Sequence, residues 1–189
     1  MIRTLLIDDH PAMRIGLSAV LRAEPGFSPV ATVASADEGV AELARRDTDV
    51  AIVDYNLPEE DGLSACLRIK AMEGPPRVLV YSAYATAELA LPALAAGADG
   101  LASKTAPAAE IFDVIRLVAR GRRVMPPVPA ELLSWAQARL DPAEGRLLSR
   151  LVGRVGDSQS DPGRDGTEDA ALRRSILAKL RVGAGPLEL

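Results

Sequence analysis

The chain has 189 residues, of which 48% are hydrophobic and 25% charged, a balance that suits one ordinary domain with a smaller appendage and excludes a disordered or collagen-like chain. Its single cysteine excludes an internal disulfide, and its 3% aromatic content argues against a nucleic-acid site built on stacked bases. The net charge of −4 divides into an acidic −6 over residues 1–121 and a mildly basic +2 over residues 122–189.

Short apolar segments alternate with helical patterns over residues 1–121. Apolar residues at helical spacing, such as Met13, Leu17 and Leu21, lie between segments that are continuously apolar or β-branched, as strands covered on both faces are. Strands are predicted in five segments, at residues 5–7, 28–33, 50–53, 78–81 and 100–102. Five successive β-α units predict an α/β fold in which a parallel sheet carries helices on both faces.

Polar residues follow these strands, at the edge of a parallel sheet where ligands bind. They are Asp8, Asp9, Asp54, Ser82 and Lys104. Neighbouring carboxylates favour a bound divalent cation, oxygen ligands suit Mg²⁺, and a lysine with a hydroxyl suits an anion. This combination indicates a phosphoryl site with a carboxylate as nucleophile. The sequence has no glycine-rich phosphate loop, so the expected phosphoryl donor is not bound ATP.

Each of these polar residues also has an ordinary structural explanation. The aspartates suit turns or helix caps, Ser82 suits a cap, and Lys104 suits a solvated surface position. Their joint occurrence after successive strands, in the order acidic pair, acid, hydroxyl and lysine, favours the phosphoryl site.

The polar residues lie in four motifs. These are Ile7-Asp8-Asp9-His10-Pro11, Val53-Asp54-Tyr55-Asn56-Leu57-Pro58 followed by Asp61-Gly62, Tyr81-Ser82-Ala83, and Gly97-Ala98-Asp99-Gly100 leading to Ser103-Lys104. Through them, residues 1–121 resemble the receiver domain of two-component response regulators. The first and last motifs look specifically like the NarL/FixJ subfamily.

The resemblance implies a flavodoxin-like five-stranded parallel sheet of order 2-1-3-4-5 and a role for each site residue. It makes Asp54 the phosphoacceptor, and it makes Ser82 and Lys104 the contacts of the phosphoryl oxygens. Asp8, Asp9, Asp54 and the backbone carbonyl of Asn56 would hold Mg²⁺. The implied partner is a sensor histidine kinase, and we expect a homodimer on activation. We expect no enzyme activity beyond self-catalysed phosphoryl transfer, since an aspartyl phosphatase needs a second acid where Asn56 stands.

Two positions depart from the family pattern, and His10, a feature of the subfamily motif, also needs an interpretation. Leu101 stands three residues before Lys104, where such receivers usually place an inward-turning aromatic, which puts the usual aromatic switch in doubt. Pro92 lies inside the fourth helical pattern, where it removes a hydrogen bond and is expected to kink the helix. His10 is interpreted as a helix cap.

The composition changes after Gly121. A linker with a linker helix is predicted over residues 122–139, because three prolines within residues 126–129 disfavour helix at its start. Helical patterns follow at residues 142–152 and 167–180. Apart from Pro162, residues 156–169 contain no apolar side chain, which predicts a mobile loop. A tail at residues 183–189 completes a small all-α C-terminal region.

Residues 140–182 occupy the place of the LuxR-type helix-turn-helix domain of NarL/FixJ regulators, in degenerate form. Residues 140–151 resemble its first helix and residues 172–182 resemble the end of the recognition helix and the helix after it. The scaffold helix between them falls within residues 156–169, which lack its apolar anchors. Arg173, Arg174, Lys179 and Arg181 are candidate contacts to DNA phosphates.

Two classes of function stay open. The first is a DNA-binding transcriptional regulator controlled by phosphorylation of Asp54, with duplex DNA as partner. The second is an atypical receiver with a decayed output domain that acts through protein contacts or as a phosphate sink. Because no signal-peptide pattern or membrane-length apolar run is visible, a cytoplasmic protein without a membrane partner is expected in either case.

Overall fold

A computed structural model describes residues 1–153, 155 and 167–181. These residues form a five-stranded sheet in the order β2-β1-β3-β4-β5, and every neighbouring pair of strands is parallel. The strands are β1 (Ile2–Ile7), β2 (Phe27–Val33), β3 (Val50–Asp54), β4 (Arg77–Ser82) and β5 (Gly100–Ser103). The predicted α/β fold and strand order are confirmed, and each predicted strand lies within an observed one.

Eight helices are formed by the described residues. They are α1 (Pro11–Ala23), α2 (Ala36–Leu43), α3 (Gly62–Lys70), α4 (Ala87–Ala96), α5 (Ala108–Ala119), α6 (Ala130–Gln137), α7 (Pro142–Gly153) and α8 (Thr167–Arg181). Helices α1 and α5 pack on one face of the sheet, and α2, α3 and α4 pack on the other. The sheet is therefore covered on both faces, as its continuously apolar strands predict.

The central strands show why ligands can approach only from the sheet edge. Val50 and Ile52 of β3 belong to the core on the side of α1 and α5, whereas Ala51 and Val53 belong to the core on the other side. This alternation buries all four side chains and leaves Asp54, the last residue of β3, at the carboxyl end. Polar chemistry is thereby confined to the loops that follow the strands.

A third core joins the C-terminal helices to the outer side of α4. Leu91, Leu94 and Ala95 of α4 pack there with buried residues of α6, α7 and α8, including Leu148 and Ile176. The neighbouring Leu177 of α8 belongs to the core that the sheet forms with α2, α3 and α4. Because α4 is covered on both sides, its sequence is apolar almost all round.

Polar contacts also hold α8 in this position. Arg173, which is 6% exposed, donates from Nη1 to the carbonyl oxygens of Leu94 and Ala95 at 3.1 and 3.3 Å, at the C-terminal end of α4. Lys179 donates to the carboxylate of Glu144 at 2.6 Å, which joins α8 to the first turn of α7. Two of the four predicted contacts to DNA phosphates are therefore engaged within the protein.

The start of α7 is built by a reciprocal capping arrangement. The carboxylate of Asp141 accepts hydrogen bonds from the backbone N–H groups of Ala143 and Glu144 at 2.9 and 3.0 Å, and Glu144 accepts one from the backbone N–H of Asp141 at 2.8 Å. Glu144 is 1% exposed, so its carboxylate depends on these partners and on Lys179.

Two predictions for the C-terminal region need correction. The helix predicted at residues 167–180 is confirmed as α8, but α8 runs without interruption from Thr167 to Arg181, so the resemblance of residues 172–182 to the end of one helix and the helix after it is wrong. The predicted mobile loop at 156–169 is wrong at its last three residues, which belong to the start of α8. The rest of that loop and the tail at 183–189 lie outside the described residues.

Helix α4 continues through Pro92 as one helix over Ala87–Ala96. Its N-terminus is capped by Thr86, and Gly97 ends it with φ of 89°, a backbone conformation that favours glycine. Within the described part of the chain, no helix combines the length and apolar character needed to span a bilayer.

Candidate functional site

Side chains from four adjacent strands meet at the carboxyl edge of the sheet. Asp8 follows β1, Asp54 ends β3, Ser82 ends β4, and Lys104 follows β5. The Lys104 ammonium nitrogen lies 2.8 Å from Asp8 Oδ2 and 2.7 Å from Asp54 Oδ2. The structure thus brings together the residues whose convergence the strand order predicts.

Asp54, the candidate phosphoacceptor, is almost fully buried at the end of β3. It is 1% exposed, and its Oδ1 accepts a hydrogen bond from the backbone N–H of Asn56 at 3.1 Å. Burial raises the pKa of Asp54, and the charge of Asp8 adds to this effect, while Lys104 and the Asn56 N–H oppose it. A carboxylate with a raised pKa gains from additional positive charge, such as a bound cation.

Lys104 is held in its charged form by the same carboxylates. Burial alone would lower the pKa of its ammonium group, but the hydrogen bonds from that group to Asp54 and Asp8 outweigh burial and raise the pKa. The Lys104 backbone N–H also donates to the carbonyl oxygen of Ser82 at 2.8 Å, which ties β5 to the end of β4. A fixed positive charge therefore stands beside the Asp54 carboxylate.

Ser82 is buried at the end of β4, and its Oγ accepts a hydrogen bond from the backbone N–H of Tyr84 at 3.1 Å. The hydroxyl group also has a hydrogen to donate. Tyr84 itself is largely exposed. Ser82 therefore connects the site edge to the loop that leads into α4.

The loop after β3 is held against the site by Asp61 and Gly62. Asp61 caps α3 by accepting from the backbone N–H groups of Leu63 and Ser64, and the Gly62 N–H donates to the carbonyl oxygen of Tyr55 at 2.8 Å. A Cβ atom at position 62 would overlap the backbone carbonyl of Asp54. Helix capping therefore explains Asp61 in the sequence motif, and close packing against the Asp54 backbone explains Gly62.

Asp8, Asp9 and Asp54 form an acidic cluster that His10 joins. One ligand atom from each of these residues lies within 4.8 Å of the others. His10 occupies the N-cap position of α1, but among the described residues its side chain makes no capping hydrogen bond. The interpretation of the imidazole as a cap is therefore wrong, because its Nδ1 faces Asp9 Oδ1 at 2.7 Å instead.

The donor atoms of this cluster fit a hard divalent cation. Asp9 Oδ1 and Asp54 Oδ2 are buried oxygen atoms of this cluster, and the charged Lys104 lies 2.7 Å from the second. Carboxylate oxygens are preferred ligands of Mg²⁺. The position of the Asn56 carbonyl toward such an ion stays a prediction.

Sequence reasoning missed the orientation of His10 and the packing of Leu101. The adjacency of His10 to Asp8 and Asp9 in sequence could have indicated that the imidazole lies near the acids. The direction of that side chain, however, depends on the backbone conformation of the loop before α1. Leu101 is 4% exposed and belongs to the core that contains α3 and α4. An aliphatic residue thus fills the position at which the family usually has an aromatic.

The fold and the site edge together define the class of protein. The sheet has the strand order expected of a receiver. Its carboxyl edge carries a buried aspartate, a lysine and further carboxylates, as the sequence motifs predict. Residues 4–116 match the family described as the response regulator receiver domain. The match spans more than half of the chain, and the chain belongs to this family.

Several relatives support this assignment. The transcriptional regulatory protein LiaR of Bacillus subtilis (strain 168) is 35% identical over 121 residues, which are 64% of this chain and 57% of that protein. The probable transcriptional regulatory protein NarL of Mycobacterium tuberculosis is 33% identical over 168 residues, which are 85% of this chain and 76% of that protein. The chain thus spans little more than half the length of some of the regulators that it matches.

Solved structures agree with the fold. A two-component response regulator of the LuxR family from an Aurantimonas species superposes with a TM-score of 0.62 at 31% identity, covering 70% of this chain and 92% of that one. The receiver domain of the putative response regulator NarL from Mycobacterium tuberculosis gives 0.61 at 29% identity, covering 64% and 98%.

Proposed function

We propose that this chain is a two-component response regulator in which Asp54 receives a phosphoryl group from a sensor histidine kinase. The observation that carries the proposal is the placement of the Lys104 ammonium 2.7 Å from the buried Asp54 carboxylate, at an edge shared with Asp8, Asp9 and Ser82. A phosphoryl group on Asp54 would find a fixed cation, a hydroxyl donor and acidic metal ligands around it. The cytoplasmic location expected from the sequence is part of this proposal.

In the proposed reaction, a carboxylate oxygen of Asp54 attacks phosphorus while the bond to the donor breaks, and the donor leaves with that electron pair. Lys104 neutralises charge on the phosphoryl oxygens, and the Ser82 hydroxyl donates a hydrogen bond to one of them. Mg²⁺ held by Asp8, Asp9, Asp54 and the Asn56 carbonyl would neutralise further charge. The chain acts on its own aspartate, so we propose no enzyme activity on other substrates.

Intact-mass measurement tests the phosphoacceptor. The full chain is incubated with Mg²⁺ and acetyl phosphate, and the mass of one phosphoryl group is expected to appear. Asp54→Ala should abolish this gain, whereas Asp113→Ala, which removes an exposed aspartate on α5, should retain it. A phosphoryl group that persists in the Asp54→Ala protein would refute the assignment.

The proposed output is regulation of transcription through duplex DNA, with a homodimer as the activated form. Support comes from the relatives LiaR and NarL, whose descriptions name them transcriptional regulators. Within α8, Arg174 is exposed and follows the buried Arg173. It is the residue on which we expect a phosphate contact to depend.

A second candidate output is favoured by one observation. Arg173 is buried against α4, and the partly exposed Lys179 pairs with the buried Glu144, so two cations suited to DNA phosphates already have partners within the protein. This supports a receiver that acts through protein contacts or as a phosphate sink. The C-terminal helices would then be a structural cover of α4.

Salt-dependent DNA binding separates the two outputs. Affinity of the full chain for duplex DNA is measured before and after phosphorylation while salt is raised, with Arg174→Ala as the matched variant. A DNA-binding output predicts affinity that falls with salt, and loss of one phosphate contact should reduce the slope by about 1. Absence of salt-dependent binding in both states would eliminate the DNA output and support the second candidate.

A further inference from the structure

We propose that His10 is a direct metal ligand, which makes the acidic site a nitrogen-containing site selective for first-row transition-metal ions such as Co²⁺ or Zn²⁺ over Mg²⁺. The inference rests on the proposed function, since it uses the metal site that phosphoryl transfer needs. It goes beyond that function because it assigns a role to a residue that the phosphoryl chemistry leaves unused.

The distances around His10 Nδ1 carry the proposal. This atom lies 2.7 Å from Asp9 Oδ1, 3.5 Å from Asp8 Oδ1 and 3.9 Å from Asp54 Oδ2. An octahedral ion with bonds of about 2.1 Å places neighbouring ligand atoms roughly 3 Å apart and opposite ones roughly 4 Å apart. The distances to Asp8 and Asp54 are close to the separations of ligand atoms that share one ion, and the 2.7 Å distance to Asp9 is that of a hydrogen bond, which a bound ion would replace.

The local backbone keeps the imidazole at the site. The His10 N–H donates to Asp8 Oδ1 at 2.8 Å, and Pro11 begins α1 directly after it. Asp8 is also anchored through its carbonyl oxygen, which accepts from Arg14 Nη1 at 2.6 Å. The segment that carries both acids and the imidazole is thus fixed at its two ends, and no induced movement is needed to bring Nδ1 near an ion.

Exposure of the imidazole fits the capture of an ion from solution. The His10 side chain is 63% exposed, while the side chains of Asp8 and Asp54 are 0% and 1% exposed. The imidazole therefore covers the open side of a buried carboxylate pair. An ion that enters from solvent would meet His10 and Asp9 first and would then contact Asp54.

The chemistry of the donor atoms determines which ions bind more tightly when His10 is a ligand. Mg²⁺ prefers oxygen ligands, whereas imidazole nitrogen suits Zn²⁺, Ni²⁺ and related first-row ions. Carboxylate sites already bind transition ions more tightly than Mg²⁺, so the distinctive expectation is a selectivity that depends on His10. Substituting the imidazole should reduce transition-ion affinity and leave Mg²⁺ affinity nearly unchanged.

The test uses Co²⁺ as the probe and the untagged full chain. His10 is the one histidine of the sequence, so an imidazole N–H proton signal shifted by bound Co²⁺ in the NMR spectrum can come from no other residue. Affinities for Co²⁺ and Mg²⁺ are measured by calorimetry on the wild type, His10→Asn and Asp9→Asn. Asparagine is a good N-cap residue, so this variant preserves the start of α1. His10→Gln serves as a second variant.

The proposal predicts the shifted imidazole signal in the wild type and its loss in both His10 variants. Co²⁺ affinity should fall at least about tenfold, since loss of groups that merely orient metal ligands already costs roughly 10- to 100-fold. Mg²⁺ affinity should stay within about twofold, because Mg²⁺ gains little from nitrogen. Asp9→Asn should weaken the binding of both ions.

Two other results would overturn the proposal in distinguishable ways. Equal selectivity in the wild type and the His10 variants, without a shifted imidazole signal, would exclude His10 as a ligand and leave the proposed phosphoryl site intact. Failure of the wild type to bind either ion would refute the metal site itself. In that second case the phosphorylation assay would also be expected to fail.

Discussion

The contact between Arg173 and the end of α4 makes a quantitative prediction about stability. Replacing Arg173 by methionine keeps much of the buried aliphatic length and removes the guanidinium that donates to the Leu94 and Ala95 carbonyls. The Leu94 carbonyl keeps a hydrogen bond from the Gly97 N–H at 3.0 Å, so the Ala95 carbonyl carries most of the loss.

The size of the effect follows from these contacts. A hydrogen bond that involves a charged group contributes about 1.5–3 kcal/mol. The positive charge at the C-terminal end of α4 adds about 0.3–1 kcal/mol by its interaction with the helix dipole. Removing the guanidinium also removes part of its desolvation cost, so we expect the free energy of unfolding to fall by about 2 kcal/mol.

Urea unfolding of the full chain measures this loss. With a typical slope of about 2 kcal/mol per M, the midpoint of Arg173→Met should fall by roughly 1 M. The adjacent and exposed Arg174 provides the matched control, and Arg174→Met should change stability by less than about 0.5 kcal/mol. Equal midpoints for the two variants would refute the buried position of Arg173 and the docking of α8 on α4.

Three further predictions concern the site and the C-terminal helices. Gly62→Ala should lower the free energy of unfolding by about 1–3 kcal/mol in a urea titration, because its Cβ would overlap the Asp54 carbonyl. Mg²⁺ at a hundredfold excess over its Kd should stabilise the wild type by about 2.7 kcal/mol in thermal unfolding, and Asp9→Asn should remove this gain. Burial would raise the pKa of Glu144, but hydrogen bonds from Lys179 and other partners hold this pKa below its usual value. The contribution of the charged Glu144 to the free energy of unfolding should therefore be lost as the pH falls through the acid range, and Glu144→Gln should make stability depend less on pH.

Each of these three predictions would be contradicted by a specific result. Wild-type stability in Gly62→Ala would mean that the loop after β3 is not pressed against Asp54. Thermal stabilisation by Mg²⁺ that survives Asp9→Asn would place the ion elsewhere. The sign for Glu144 is set by its lowered pKa: the unfolded state binds more protons in that range, so stability must rise with pH. An acid-unfolding curve unchanged by Glu144→Gln would therefore exclude the link between α7 and α8.

The sheet and its site edge could be predicted because both depend on local sequence patterns. Continuously apolar segments mark strands that are buried on both faces, and the residues after them must lie at one edge whatever the details of packing. Asp54 and Lys104 are 50 residues apart in sequence, yet the strand order brings them to the same sheet edge, where their opposite charges meet at 2.7 Å. The contact therefore depends on the strand order of the fold and not on a local sequence motif.

The docking of the C-terminal helices could not be predicted in the same way. Arg173 and Arg174 are identical in kind and adjacent in sequence, and only the surface of α4 decides that the first is buried and the second exposed. One signal was present, since the run Ala93-Leu94-Ala95-Ala96 leaves no polar side on α4, which indicates that the helix is covered on both faces. The pattern predicts that a cover exists but not which segment supplies it.

Helix α4 connects the site edge to the C-terminal helices through contacts that the structure shows at both of its ends. Before the start of α4, the Tyr84 N–H donates to Ser82 Oγ. If the Ser82 hydroxyl moves toward a phosphoryl group, either this hydrogen bond breaks or the loop that contains Tyr84 moves with the hydroxyl. At its end, the carbonyls of Leu94 and Ala95 accept from Arg173 of α8. With Leu101 packed in the core where an aromatic would turn inward, the loop from Ser82 into α4 provides one structural connection from the site to α8, beside the shared core that contains Leu101 and Leu177. A phosphorylation signal that reaches the C-terminal helices along this connection must change the surface of α4, and the stability difference between wild type and Arg173→Met should then differ with and without phosphorylation of Asp54.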